Sequence, residues 1–275
     1  MWLVLVLMGC GGDLPTWPEV AAESRVCLTV VEHAPSGDRQ FSWAYGFGPF
    51  SVMAFGLDSQ TLAHVVEIED IGDPDANVIS SIGKLGKHLY YCGDDRSGVS
   101  RVDMTTGVVE RSGTKCEQVT DHRGGLVVYN GRARRSLTRY ASWQDVLDER
   151  GEELEDVRQV TRFGRADGEL YGAWHATDHL DRFNTVGVLQ ESVPLDYDGW
   201  VWGLSGTNER LVILKDHRKN HNHWYGSPTI AEFGLNGDLL AEWKTQDSLR
   251  PMGLSCTGSV NPNTFEPLDE DAIED

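Results

Sequence analysis

The feature that most constrains this chain is a pattern that returns five times along it. Each copy has an aromatic or β-branched strand, a polar turn and a second apolar strand. The central residues of the copies are Phe55, Val102, Tyr140, Phe183 and Phe233, which lie 38 to 50 residues apart. Four-stranded propeller blades repeat about every 40 to 50 residues. The spacing predicts an all-β fold, a β-propeller with five four-stranded blades, and leaves a sixth blade open.

Two further apolar strands precede four of these central residues and complete the predicted blades. Most of the strands are joined by turns rich in Gly and Asp. The one helical candidate is Ser142–Val157, where Ser142 can cap a helix, and a long hairpin is the alternative. The predicted second strands are His88–Cys92, Leu126–Tyr129, Leu170–Ala173 and Leu211–Leu214, and the first strands are Val78–Ile82, Cys116–Val119, Val157–Phe163 and Trp200–Leu204.

The cysteines indicate how the ring closes. Residues 25–31 and 250–256 are both strand-like, and a propeller usually closes with one blade built from both termini. That arrangement brings Cys27 near Cys256 and predicts a disulfide between them. Cys92 ends one blade's second strand and Cys116 begins the next blade, which predicts a second disulfide. The alternative is that all four are small buried thiols.

Part of the chain resembles a known group of propellers. The segment from Gly86 to Tyr91, followed by the Asp-x-x-Thr-Gly turn at Asp103 to Gly107, is similar to one repeat of the pyrroloquinoline-quinone-type and YVTN-type propellers. The segment from Gly237 to Trp243 resembles the end of such a repeat. The resemblance implies a propeller of this broad type and no cofactor, and it implies that Asp103, Thr106 and Gly107 serve a blade turn.

The N-terminus resembles a bacterial lipoprotein signal. Residues 1–10 are apolar and end in Leu7-Met8-Gly9-Cys10, which predicts lipidation of Cys10 and an envelope protein anchored to the membrane by lipid. An ordinary secretory signal or a buried apolar strand is the alternative. The predicted organisation is a signal peptide at 1–10, a flexible tether at 11–24, one propeller domain at 25–259 and an acidic disordered tail at 260–275.

The charge narrows the class of partner. The chain has 24 Lys and Arg against 43 Asp and Glu, for a net charge of −19. An acidic surface repels phosphate, so we expect no nucleic-acid partner. Glu266 to Asp275 is rich in acids without a basic residue, which is typical of a solvated tail.

Candidate functional residues gather in the loops that join the second and third strands. Five histidines in two of these loops could bind a divalent metal, while a solvated polar loop is the alternative. No other cofactor is expected. The metal candidates are His175, His179, His217, His221 and His223, and the ligand-contact candidates are Trp224, Tyr225, Arg132, Arg134 and Arg135.

Two functions follow from these patterns. The first is a binding or scaffold module for an envelope protein, peptide or glycan, for which no catalytic residues are needed. The second is a metal-dependent propeller hydrolase, similar in kind to lactonases, with its site at the mouth of the channel. The inward residues eligible for that site are Glu117, Asp121, Asp167, Asp196 and Asn208.

Overall fold

The computed structural model describes most of the chain and contains five antiparallel sheets. The described residues are 16–33, 49–68, 71, 81–92, 98–130, 136–154, 162–173, 178–184, 186–197, 200–216, 229–245 and 249–268. Within them lie two short helices, α1 (Trp17–Ala21) and α2 (Trp143–Leu147), and no helix is long and apolar enough to cross a membrane.

Each sheet is one blade of four strands. The strands of each blade follow in order from the axis outward. The first blade contains β20 (Leu249–Thr257), β1 (Val26–His33), β2 (Phe50–Gly56) and β3 (Thr61–Ile68). The second contains β4 (Ile82–Leu85), β5 (His88–Cys92), β6 (Val99–Asp103) and β7 (Val109–Arg111). The third contains β8 (Gln118–His122), β9 (Gly125–Asn130), β10 (Ser136–Tyr140) and β11 (Glu152–Glu153). The fourth contains β12 (Arg162–Ala166), β13 (Glu169–Ala173), β14 (His179–Phe183) and β15 (Leu189–Pro194). The fifth contains β16 (Trp200–Gly206), β17 (Arg210–Asp216), β18 (Thr229–Gly234) and β19 (Leu239–Lys244).

The inner strands close the ring. Strands β20, β4, β8, β12 and β16 each contact the next in that order, and β16 returns to β20. The prediction of a five-bladed propeller is confirmed, and the two terminal strands, β1 and β20, complete the first blade instead of forming part of a sixth.

Glycines allow the inner strands to approach closely. A Cβ on Gly83 of β4 would lie 2.6 Å from the backbone nitrogen of Asp121 in β8, and one on Gly164 of β12 would overlap the carbonyl oxygen of Leu204 in β16. Real Cβ atoms do not approach backbone this closely, so only glycine fits at these positions. The axis of the ring is therefore narrow.

The residues that define the sequence repeat belong to the third strand of every blade. Phe55, Val102, Tyr140, Phe183 and Phe233 lie in β2, β6, β10, β14 and β18, and all five side chains are buried. They belong to apolar clusters between neighbouring sheets. Burial between blades explains why these positions keep large apolar residues in every copy.

Both predicted disulfides are present. Cys27 of β1 is the direct register partner of Cys256 in β20, and their sulfurs are bonded. Cys92 at the end of β5 is bonded to Cys116 just before β8, with the Cα atoms 5.6 Å apart. The first bond joins the two ends of the ring, and the second joins the second and third blades.

The folded unit is longer at both ends than the sequence indicates. Residues 17–21 form helix α1, where we expected a tether from 11 to 24, and the segment 260–268 is folded, where we expected a disordered tail from 260. The ring of Trp17 stacks on Phe265 with centroids 5.4 Å apart, and Trp17 Nε1 donates to the carbonyl oxygen of Pro262 at 2.9 Å. Val20 and Phe265 are buried in the same apolar cluster. Burial of these apolar side chains orders both segments.

Helix α2 occupies only the start of the predicted helical candidate. Ser142 caps it by accepting a hydrogen bond from the backbone nitrogen of Asp145 at 3.2 Å. The helix ends where Glu149 adopts a φ of 54°, and the chain then returns as β11. The helical interpretation is thus correct for Trp143–Leu147, and the hairpin alternative is correct for the pairing of β11 with β10.

Candidate functional site

The two ends of the ring differ. At one end of the ring, the second strand of each blade ends and the third strand begins; we call this end the loop face. We call the opposite end the turn face. Inner strands run from the loop face to the turn face, because β4, β8 and β12 each lead into a tight turn before the second strand. Strand β1 starts at the turn face, since Val26 pairs with Thr257 at the end of β20. The N-terminal helix and the C-terminal segment therefore both lie at the turn face.

Most of the predicted site residues lie outside the described residues. This group comprises Arg132, Arg134, Arg135, His175, His217, His221, His223, Trp224 and Tyr225, together with the lipidation candidate Cys10. They remain predictions. Apart from Cys10, these residues belong to loops whose flanking strands end or begin at the loop face.

His179 is the one described member of the predicted metal cluster. It starts β14, and its Nδ1 lies 3.0 Å from Asp178 Oδ1 while its Nε2 lies 4.0 Å from Asp181 Oδ1. The hydrogen bond with His179 lowers the pKa of Asp178. Among the described residues, no three His, Cys, Asp or Glu side chains are placed to hold a metal ion.

At the axis, the buried carboxylate of Asp121 is the centre of a polar network. Its Oδ1 accepts hydrogen bonds from the backbone nitrogen of Lys84 at 2.9 Å and from Ser255 Oγ at 3.1 Å. Its Oδ2 accepts an ion-paired hydrogen bond from Arg165 Nε. Arg165 also donates to the carbonyl oxygen of Cys256 at 3.2 Å.

This axial network includes every blade. Lys84, Asp121, Arg165 and Ser255 come from the second, third, fourth and first blades, and Ser205 of the fifth accepts a hydrogen bond from the backbone nitrogen of Cys256 at 2.9 Å. The carboxylate of Asp121 is engaged through both oxygens. The network thus stabilises the ring and occupies the acid that was best placed for axial chemistry.

The other residues considered for an axial metal site do not meet Asp121. Asp167 and Asn208 lie in turns at the turn face, where Asp167 N donates to Thr207 O at 3.1 Å. Asp196 lies in the connection between the fourth and fifth blades and donates from its backbone to Gly237 O at 3.1 Å. Glu117 directly precedes β8 at the other end of the inner strand. The five eligible residues are thus divided among different ends of the ring.

The Asp-x-x-Thr-Gly segment forms the turn between β6 and β7 of the second blade, and it packs against the first blade. Asp103 Oδ1 accepts hydrogen bonds from the backbone nitrogen and the hydroxyl of Thr105, and its Oδ2 lies 2.7 Å from Lys87 Nζ. Burial alone would raise the pKa of Asp103, but hydrogen bonds from Lys87 and Thr105 outweigh it and lower the pKa to about 2. Gly107 follows with a φ of 76°, packed against the carbonyl oxygen of Glu67 in the first blade. The segment has a structural role.

A polar cleft of about 450 Å³ lies beside the third blade, and we call it the blade 2–3 cleft. Its floor is one face of β9 and β10. One wall is the connection between the second and third blades, and the other is the chain that runs from α2 into β11. The lining residues are Gly113, Thr114, Lys115, Val128, Asn130, Thr138, Tyr140, Glu149, Gly151 and Glu153.

Several contacts fix the walls of this cleft. Thr114 Oγ1 donates to the carbonyl oxygen of Val146 in α2, which joins the two walls directly. Thr114 O accepts from Val99 N at 2.9 Å, and Cys116, next to the first wall, is bonded to Cys92. The cleft is therefore preformed.

Helix α2 is also held against the second blade. Trp143 Nε1 donates to Glu110 Oε2 at 3.2 Å, and the guanidinium of Arg101 lies 4.8 Å from the centroid of the Trp143 ring. Arg101 and Glu110 form an ion pair at 2.9 Å. This packing holds the second wall in place from outside.

Tyr140 and Gly151 shape the floor of the cleft. A Cβ on Gly151 would overlap the Thr138 methyl group and lie 2.8 Å from the Tyr140 ring, so a side chain there would clash with the floor. Burial and the nearby Glu149 carboxylate raise the pKa of Tyr140, against a hydrogen bond with Thr138. The tyrosine is thus a neutral hydroxyl at physiological pH.

Sequence reasoning missed this cleft, although one signal points to it. The connection between the third and fourth strands spans 141–151 in the third blade but only 104–108 in the second. An unusually long connection in one copy of a repeat is where a site is expected.

Comparisons with known proteins concern the fold. No protein-family model and no curated protein matches the chain. Among solved structures, the chain is similar to virginiamycin B lyase from Staphylococcus aureus, with 11% identity, 82% of this chain and 78% of that chain covered and a TM-score of 0.42. It is also similar to a chain of a nidogen/laminin complex, with 9% identity, 84% and 98% covered and a TM-score of 0.48. A third similar structure is a protein of unknown function from Bacteroides caccae, with 12% identity, 85% of this chain and 99% of that chain covered and a TM-score of 0.47.

Proposed function

We propose that this protein is a binding or scaffold propeller of the cell envelope, anchored by a lipid on Cys10, that binds a protein, peptide or glycan through its loop face. The observation that carries the proposal is the position of the termini. Helix α1 packs on the C-terminal segment at the turn face, where Val260 N donates to Ala21 O at 2.9 Å. Because Cys10 is only a few residues before Thr16, an anchor there would hold the turn face toward the membrane. The loop face would then point away from the membrane, where a partner has access.

The axial network supports binding over catalysis. Asp121 is already paired with Arg165 and hydrogen-bonded to Ser255 and Lys84. A carboxylate with all of these partners is not free to act as a base or to bind a metal. No observation on the described residues favours the metal-dependent hydrolase.

Lipid anchoring is tested by cell fractionation. We expect the wild-type protein to sediment with membranes and to incorporate a labelled fatty acid, and Cys10→Ala to lose the label. Gly12→Ala is the matched control, because it changes the same segment and keeps the cysteine. A Cys10→Ala variant that still takes up the lipid label would contradict the anchor.

Use of the loop face is tested by photo-cross-linking at two exposed positions. A photoreactive amino acid at Asp178, which directly follows 174–177, probes the loop face, and one at Asn208 probes the turn face. We expect a discrete cross-linked product in intact cells from position 178 and none from position 208. Protease and glycosidase treatment of the product separates a protein partner from a glycan. Equal products from both positions, or a product from position 208 alone, would refute the proposal.

A further inference from the structure

We propose that the blade 2–3 cleft binds a small zwitterionic ligand, one that carries an ammonium group and a carboxylate, such as an amino acid or a short peptide with free ends. The site goes beyond the proposed function, because its ligand is a small molecule held between the two walls of the cleft. Its volume of about 450 Å³ falls in the range of about 300 to 1,000 Å³ that small-molecule sites occupy.

The charges of the two walls carry the choice of ligand. Lys115 lies on the wall between the second and third blades, Glu149 lies on the wall that follows α2, and Glu153 continues that wall in β11, where it pairs with Thr138 of the floor. A ligand carboxylate is attracted to the lysine, and a ligand ammonium is attracted to the two glutamates. Opposite charges on separate walls therefore match a ligand with opposite charges at its two ends.

Ligands with one kind of charge fit this cleft less well. An inorganic anion would meet the repulsion of Glu149 and Glu153, and a simple cation would meet that of Lys115. A neutral sugar usually binds against an exposed aromatic face. Tyr140 supplies the only aromatic ring among the described lining residues, and it is 6% exposed.

The floor supplies the hydrogen bonds that the middle of such a ligand needs. Thr138 and Tyr140 bring hydroxyl groups, and Asn130 brings an amide. A peptide bond has one donor and one acceptor, and these groups are suited to both. Because the walls are held by the Thr114 contact to Val146 and by the Cys92–Cys116 disulfide, binding requires little ordering of the protein.

Two glycines provide a steric test with a matched control. A Cβ on Gly113 in the cleft would meet nothing within 4 Å, so Gly113→Phe can fill the space without disturbing the fold. A Cβ on Gly258 at the turn face would meet only an ordinary contact of 3.6 Å, so Gly258→Phe adds the same side chain elsewhere. Thermal unfolding of both variants checks that they fold.

The experiment uses the purified, oxidised protein and saturation-transfer NMR. The probes are the dipeptide Ala-Ala, its N-acetylated and C-amidated form, maltose and inorganic phosphate, each at about 10 mM so that millimolar affinities are seen. We expect saturation transfer to the free dipeptide alone, no signal in Gly113→Phe and an unchanged signal in Gly258→Phe. Lys115→Met should weaken binding about 10-fold, and Lys115→Glu should favour a diamine such as putrescine over the dipeptide.

The contrary results are equally specific. The proposal is wrong if the free dipeptide gives no signal, if its capped form or maltose binds equally well, or if Gly113→Phe leaves the dipeptide signal intact. None of these results bears on lipid anchoring or on cross-linking from position 178, so failure here is distinguishable from failure of the proposed function.

Discussion

At the level of single residues, Gly107 and Gly113 are close in sequence but have opposite surroundings. Gly107 has a φ of 76°, and a Cβ there would overlap Glu67 O, whereas a Cβ on Gly113 meets nothing within 4 Å. We expect Gly107→Ala to destabilise the fold by about 2 to 4 kcal/mol, because it combines backbone strain with a clash. That corresponds to a loss of about 5 to 15 °C in Tm. Gly113→Ala should leave Tm within about 1 °C in the same circular-dichroism melts. Equal Tm values for the two variants would contradict the role given to Gly107.

A second prediction at this scale concerns buried His122. Burial lowers its pKa, although the hydrogen bond with the carbonyl oxygen of Gly168 opposes the shift. Between the folded pKa of His122 and its unfolded value near 6.5, the folded state binds fewer protons than the unfolded state does. The stabilising effect of the neutral histidine is therefore complete above pH 6.5 and is lost as the pH falls. We therefore expect His122→Gln to cost less stability at pH 5 than at pH 8.

Urea unfolding of both proteins across pH 5 to 8 measures this difference. Comparing variant with wild type at each pH removes the effect of the chain's many carboxylates, which titrate in both proteins. A cost that grows as the pH falls would show that the charged form of His122, not the neutral one, is favoured by the fold.

At the level of elements, the two disulfides differ in what they close. Cys27 and Cys256 are separated by 229 residues, and Cys92 and Cys116 by 24. The chain-entropy model gives about 5.5 kcal/mol for the first and about 3.5 kcal/mol for the second. We expect Cys27→Ala with Cys256→Ala to be less stable than Cys92→Ala with Cys116→Ala by about 2 kcal/mol in guanidinium unfolding. If the variant without Cys27 and Cys256 were the more stable of the two, ring closure would depend mainly on the hydrogen bonds between β1 and β20.

Elements with local signals were predictable from the sequence, and elements defined by distant contacts were not. Strand β5 was predicted with its observed bounds, because His88–Cys92 is a compact apolar run between turns. The two ends of the domain were misplaced, because Val20 and Phe265 become buried only against each other's segments and the ring. No periodicity along the chain records a contact of that kind.

At the level of the whole molecule, the pair of Asp121 and Arg165 links blades through the axis. Removing one partner of a fully buried ion pair costs about 3 to 5 kcal/mol, since it leaves the other charge uncompensated, and the partial exposure of Arg165 puts the cost here at the lower end, about 3 kcal/mol. We expect Asp121→Asn and Arg165→Met each to destabilise the ring by about that amount. The double variant should be more stable than the sum of the two losses predicts.

A double-mutant cycle by chemical unfolding measures this coupling. Ser255→Ala serves as a milder control, because it removes a neutral hydrogen bond to the same carboxylate and should cost about 1 kcal/mol. Strict additivity of the two charged substitutions would mean that the residues do not interact across the axis.

The repeat and the terminal strands are visible in the sequence, so closure of the ring by strands from both termini was predictable, whereas the choice between five and six blades depended on where β20 pairs. The candidate site was predictable only in part. Asp121 was recognised as facing inward, but its pairing with Arg165 depends on two blades meeting at the axis. The blade 2–3 cleft was missed because its walls come from two connections that approach each other only in the folded ring.

The position of β20 also determines when this protein can fold. Four blades are continuous in sequence and can form in the order of synthesis, but the first blade lacks its inner strand until residues 249–257 have been made. Until then, the edge of β1 is unpaired and open to association with other chains. Cys27 also waits for Cys256 while Cys92 and Cys116 are already present. Oxidation before residue 256 has been made leaves an earlier cysteine as the sole possible partner of Cys27 within the chain, so the Cys27–Cys256 disulfide forms after the chain reaches residue 256.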